Sequence, residues 1–206
     1  MRKLFLIIGA TSLLSVACVS NPEGEKVETN EAGEVLTANG TDLTVDTDAS
    51  TLEWTGRKVS GTHHGEIDIK SGTIHVMGDQ ITAGHVIVEM ESLENFDLEG
   101  EWKTKLEDHL KSDDFFHTEK FPEAKIEITN VEGSGVGTIT VSANLTIKDI
   151  TKNITFKAEV NEISESSLEA TADFNIERFN WEITYPGKSD DLISKEINFK
   201  IKLVAN

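Results

Sequence analysis

The sequence predicts an all-β domain: an antiparallel barrel of eight strands with one short helical segment near residues 101–112. Three observations predict it. From Leu43 onward, apolar residues recur at every second position, the spacing of strands with one buried face. Polar residues fill the alternate positions, which suits an antiparallel sheet, because parallel strands are apolar on both faces. The last alternating run ends within three residues of the C-terminus, so a final strand closing onto the first would leave no free edge. A two-sheet sandwich shares this periodicity and stays open at this point.

The elements follow in chain order. Arg2 and Lys3 precede an apolar run, Leu4 to Ala17, of fourteen residues. A membrane span needs about 20. A basic start, a short apolar run and a small residue at its end describe a signal peptide over residues 1–17. Cys18 follows and is the only cysteine. Ser15-Val16-Ala17-Cys18 resembles a bacterial lipobox, with Ser15 where Leu is usual. That resemblance implies lipid attachment at Cys18 and a membrane partner through this N-terminal anchor. It also implies a place in the bacterial cell envelope, on the periplasmic face or the cell surface. Residues 18–42 are acidic, without aromatics or periodicity, and read as a flexible tether. Residues 43–206 are long enough for one domain with a substantial core.

Within that domain, Leu52 and Trp54 share one strand face. Ile67/Ile69 and Ile74/Val76 flank Gly72 and read as a hairpin. Val86, Val88 and Met90 follow, then Ile126 and Ile128. Ile139, Val141, Ala143, Leu145 and Ile147 alternate over nine residues. Asp149 to Asn153 reads as a polar turn. Ile154 to Val160, Leu168 to Ile176 and Ile197 to Leu203 complete the set. The helical candidate is Glu101 to Ser112. Eight strands make a barrel just wide enough to hold one small ligand.

The formal net charge of −18 becomes about −20 once Arg2 and Lys3 leave with the signal peptide. Such a surface repels phosphate backbones and excludes nucleic acid as a partner. It also repels anionic membranes, which makes a covalent anchor useful.

The stretch Asp108 to Lys125 sets Phe115, Phe116 and Phe121 among charges and ends in Pro122-Glu123-Ala124-Lys125. The rings have to hide while their neighbours stay wet, so they read as closing one end of the barrel. This block resembles a segment of the YceI-like family, lipocalin-like proteins associated with binding polyisoprenoid lipids. Trp54-Thr55-Gly56-Arg57-Lys58-Val59 with Gly61-Thr62-His63-His64-Gly65 resembles the family's opening strand and turn. Asn144 to Lys152 resembles a later turn, and Phe174 to Trp181 and Asp191 to Ile197 resemble the closing strands. Asn180 stands where many members have Gly. The resemblance spans about residues 44–205 and implies a lipocalin-like barrel holding an isoprenoid or other long-chain lipid.

The inward apolar set, Trp54, Val141, Leu145, Phe156, Phe174, Trp181 and Phe199, together with Phe115, Phe116 and Phe121, is the candidate ligand-binding surface. Ala143, Ala158, Ala170 and Ala172 among them leave room for a cavity, though small residues also fit the taper of a filled barrel. His63 and His64 are adjacent and point to opposite strand faces. His75, His85, His109 and His117 lack metal-ligand spacing, and His64 and His109 read as hydrogen-bonded turn or helix-end positions. Nucleophile-elbow, zinc-protease and phosphate-loop motifs are absent. No catalytic residue, metal ligand or cofactor is assigned. A filled barrel acting as a stress-response or interaction module, or a hydrolase or isomerase using His or acidic pairs, are the alternatives; a homodimer is left open.

Overall fold

The computed structural model describes residues 19–206. Its strands are β1 (Glu25–Lys26), β2 (Glu28–Glu31), β3 (Thr41–Thr44), β4 (Thr51–Lys58), β5 (Gly61–Glu66), β6 (Ile69–Met77), β7 (Gln80–Glu89), β8 (Glu94–Asn95), β9 (Glu123–Glu132), β10 (Gly137–Ile147), β11 (Ile150–Ser164), β12 (Ser167–Glu177), β13 (Gly187–Lys188) and β14 (Asp191–Ala205). Among the described residues the one α-helix is α1 (Gly100–Lys111).

β5 and β6 are one strand broken at Ile67–Asp68. β5 pairs with β4, the Ile67 N–H still reaches Leu52 O at 3.0 Å, and β6 then pairs with β7. Counted so, eight strands run β4, β5/β6, β7, β9, β10, β11, β12, β14 and back to β4, each antiparallel to the next. The pieces beyond those eight are the break itself and the short strands β1, β2, β3, β8 and β13. One end of the barrel, here the upper end, carries the β4–β5 turn, α1, the β10–β11 turn and the loop before β14. The lower end carries the β6–β7, β9–β10 and β11–β12 turns.

The alternating residues face inward as their period requires. Ile139, Val141, Ala143 and Ile147 of β10 are buried, while outward hydroxyls pair across strands: Ser142 with Thr155 at 2.9 Å and Thr146 with Thr151 at 2.8 Å. In α1, Glu101 sits in the first turn and Lys111 in the last, each favoured by the helix dipole there.

Three expectations are corrected. Gly72 does not turn a hairpin; it lies inside β6, where a Cβ would meet Val45 Cγ2 at 2.7 Å and His85 O at 2.8 Å. The polar turn is not Asp149 to Asn153. Lys148 and Asp149, with φ of 52° and 60°, form a two-residue hairpin turn, and β11 starts at Ile150. Thirdly, the segment read as a tether is bound to the barrel from Asn21 onward.

That segment is a belt. β11 and β12 stop pairing above Ala158/Ala172, and the belt fills the opening. β1 adds to β12 in parallel and β2 to β11 antiparallel. Val27 between them is 6% exposed. Asn144 Oδ1 accepts from Gly33 N and Asn144 Nδ2 donates to Gly33 O, both at 2.8 Å. Asn175 donates to Pro22 O at 3.1 Å and to Glu196 at 3.0 Å. Gly24, at φ 130°, lies so close to Asn175 and Asn198 that a Cβ would clash with both. β3 then pairs with β6, and Thr44 and Asp46 bond to Asn206 and Val204 at the lower end. The belt explains why Asn144, Asn175, Glu196 and Asn198, all on outward faces, are buried.

Candidate functional site

The barrel interior holds three voids in series. The upper one, about 230 Å³, lies under α1 and is lined by Trp54, Leu106, Leu110, Phe115, Arg178 and Tyr185, among others. The middle one, about 70 Å³, is lined by Met90, Leu145 and Phe174. The lower one, about 130 Å³, is lined by Ile74, Val141, Phe156 and Leu168. Ile67, Phe116 and Phe199 border both upper and middle voids; Leu52, Val88, Ile126 and Ile201 border both middle and lower. These shared side chains lie between the voids. Each void is below the roughly 300–1,000 Å³ of a typical small-molecule pocket; joined, they fall inside that range.

The upper end is built as a lid. No residue of α1 is fully buried. Leu106, His109 and Leu110, spaced at i, i+3 and i+4, face the upper void. The chain after the helix turns through His117, at φ 50°, whose carbonyl accepts from both Lys120 and Phe121. That turn drives Phe115 and Phe116 inward to 5% and 6% exposure. The His109 ring meets Phe115 edge-on at 5.1 Å and Tyr185 at 4.8 Å, so three rings roof the void.

Polarity is concentrated at this end. Arg178 is 1% exposed, and its hydrogen bonds go to main-chain carbonyls: Ser194 at 2.8 Å, Tyr185 at 2.8 Å, and Ile183. Burial pulls its guanidinium down to about 10. Asp97 organises the loop ahead of α1. Burial pushes its carboxyl up, but the His64 N–H, the His63 ring and the Asn95 amide outweigh that and hold it below 3.8. The middle and lower voids are walled almost wholly by carbon, with Lys125, His85 and Thr171 the polar residues there. The interior is thus apolar along its length and polar at one mouth.

The candidate residues fall as follows. Trp54 and Phe115 line the upper void, Phe116 and Phe199 the upper and middle, Leu145 and Phe174 the middle, and Val141 and Phe156 the lower. Phe156 stacks on Phe174, centroids 4.6 Å apart, at the gap the belt fills. Two candidates lie elsewhere. Trp181 is 0% exposed and donates from Nε1 to Leu145 O at 3.1 Å; it is packing and borders none of these voids. Phe121 is half-buried outside, edge-on to His117 at 5.8 Å, because the turn that sends Phe115 and Phe116 inward sends it out. Cys18 lies outside the described residues. Arg178 was missed; its signal is a cation two residues after Ile176, on the inward parity of Phe174 and Ile176. His109 bonds Asp114 at 3.2 Å and His64 donates its N–H to Asp97.

Residues 43–205 match the family described as YceI-like domain. A UPF0312 protein of Pseudomonas putida (strain W619) is 32% identical over 97 residues, 44% of this chain and 50% of that protein. A UPF0312 protein of Shewanella denitrificans is 44% identical over 50 residues, 24% of this chain and 26% of that one. The chain thus spans a quarter to a half of the length of these curated relatives. Among solved structures, a polyisoprenoid binding domain from Saccharophagus degradans superposes with a TM-score of 0.63 at 16% identity, covering 80% of this chain and 97% of that one. BcnA of Burkholderia cenocepacia gives 0.58 at 20% identity, covering 79% and 99%. At these identities the likeness is one of fold. Since the matched region takes in all eight barrel strands, the chain belongs to the YceI-like family.

Proposed function

We propose that the barrel holds an isoprenoid or other long-chain lipid non-covalently, its chain in the middle and lower voids and its polar end beneath α1. The observation that carries this reading is the interior itself: three apolar voids divided only by side chains, with polarity at one mouth. A packed core would leave few voids larger than a water molecule. Burying an apolar chain gains about 25 cal/mol per Å² removed from water. A ligand of roughly 40 heavy atoms at about 0.3 kcal/mol each could reach nanomolar affinity. Family membership supports the reading, as does the polyisoprenoid binding named for the Saccharophagus degradans domain. No side chain performs chemistry in this account.

A lipid at Cys18 would hold the protein at the bacterial cell envelope, close to its ligand. Fractionation of cells carrying Cys18→Ser tests that part; sedimentation with membranes like the parent's would refute it. Val141→Glu tests the cavity. Val141 is 6% exposed and lines the lower void. A carboxylate there faces the bound chain, and burying it unpaired is costly. With the lipid displaced, water can fill the void and solvate the charge. The expected variant is folded by circular dichroism and depleted of lipid. A folded variant with undiminished lipid contradicts the placement.

A further inference from the structure

We propose that the upper mouth of the barrel is a docking surface for a zwitterionic bilayer, so that lipid passes between membrane and cavity beneath α1. This rests on the anchoring and cavity readings above and adds an orientation to them.

The first observation is where the belt begins. Asn21 donates from Nδ2 to Glu196 Oε1 at 2.7 Å and accepts at Oδ1 from Ser194 Oγ at 2.9 Å. Its carbonyl accepts from Arg57 at 3.3 Å. Arg57, Ser194 and Glu196 all line the upper void. Three residues of extended chain reach at most about 11 Å, so Cys18 stays within that distance of Asn21 and the rim. A free tether over residues 18–42 would let the barrel tumble; a belt pinned at Asn21 does not. An anchor this short brings the upper end to the membrane.

The second observation is what that end exposes. Val59 is 44%, Phe96 50% and Trp102 70% exposed. Val59 follows Lys58, which lines the upper void. The Phe96 N–H bonds to His64 O at 2.9 Å, beside His63 of the same wall. Trp102 is one turn before Leu106 on the stripe of α1 that faces the void. The cavity-facing stripe of the lid therefore continues past the barrel as an exposed ring, with only the Lys105 ammonium over one face at 5.0 Å. Tryptophan favours the water–lipid interface, and an amphipathic helix can lie in that plane. Met77 and Val136, exposed at the lower end, are aliphatic. The mature chain's net charge of about −20 selects against anionic lipid and leaves a zwitterionic surface as the occupant.

The test tethers the mature chain, residues 18–206, from two ends. In one preparation Cys18 is coupled to a maleimide-bearing lipid in phosphatidylcholine vesicles. In the other, Cys18→Ser is combined with Val136→Cys at the lower end, and that thiol is coupled instead. Trp54 and Trp181 are 6% and 0% exposed, so iodide quenching reads Trp102. Coupling at residue 18 should shift the emission to the blue and cut iodide quenching about three-fold, with brominated phosphatidylcholine quenching in its place. Coupling at residue 136 should leave Trp102 as accessible as in free protein. Equal iodide quenching in the two geometries overturns the proposal. So does protection that appears without vesicles and grows with protein concentration, which would mark a contact between copies of this chain. Because both tethers are chemical, the result does not depend on whether cells lipidate Cys18. Protection of Trp102 in a protein that yields no lipid on extraction would sink the cavity reading and keep the docking one.

Discussion

Asn144→Ala perturbs the belt at one point without shortening the chain. The amide sits on the outer face of β10, 5% exposed, and bonds both the N–H and the carbonyl of Gly33 at 2.8 Å. It also accepts from Asn153 Nδ2 at 3.0 Å. A net hydrogen bond is worth about 1 kcal/mol, so three set a ceiling near 3. Asn153 keeps its bond to Thr129 at 2.8 Å, and Gly33 can reach water if the belt lifts. The expected loss is therefore about 2 kcal/mol. For a chain of this size that lowers the melting midpoint by about 4–8 °C. The assay is thermal unfolding by circular dichroism, with hydrogen exchange followed across residues 25–36. Exchange there should rise more than in β10 itself, since local opening draws on the least-buried units. Asn130→Ala is the control: an exposed residue of β9 whose side chain bonds only Glu132, at 3.3 Å, should change stability by under about 0.5 kcal/mol. A loss that small for Asn144, with exchange unchanged over the belt, would refute the reasoning and restore the free tether.

Phe116→Ala should cost about 3 kcal/mol by denaturant unfolding, at the low end for a buried phenylalanine, because voids already lie on both sides of the ring. The same variant joins the upper and middle voids and should take up an added isoprenoid alcohol faster than the parent; slower uptake would mean that Phe116 is no partition. Acid should loosen the loop before α1. The Asp97 carboxyl is held below 3.8, so its contribution is full above that value and is lost as pH falls through the lower, folded value. Melting midpoints measured from about pH 6 to about pH 3 should drop more steeply for the parent than for Asp97→Asn. Parallel curves would remove Asp97 from the account.

Most of the barrel was legible because its strands bury one face and period two reports that directly. Ile139 to Ile147 and Ile197 to Leu203 needed no further signal, and Glu101 to Ser112 gave the helix to within a residue. The belt was not legible, for a physical reason. Glu28 to Glu31 bury almost no side chain; they are held by main-chain bonds to β11, and the chain on either side of them by Asn144 at Gly33 and Asn175 at Pro22, each more than a hundred residues away. Periodicity cannot show a strand whose stabilising groups belong to its partner. The Lys148–Asp149 turn was misplaced because both residues adopt the left-handed region without the glycine that usually announces it. At the site, aromatic character found Trp54, Phe115, Phe116 and Phe199 on the cavity walls. It could not separate them from Trp181, which fills the core, or from Phe121, which a single turn carries outside. Arg178 was hidden because a cation between Glu177 and Asn180 at a strand end reads as surface until its carbonyl partners are known.

The most direct test of the central claim is mass spectrometry of organic extracts from the mature protein purified without detergent. The account predicts one long-chain lipid species at close to one molecule per chain. Extracts no richer in lipid than those of an unrelated protein prepared in parallel, with an added isoprenoid alcohol leaving the melting midpoint unmoved, would contradict it.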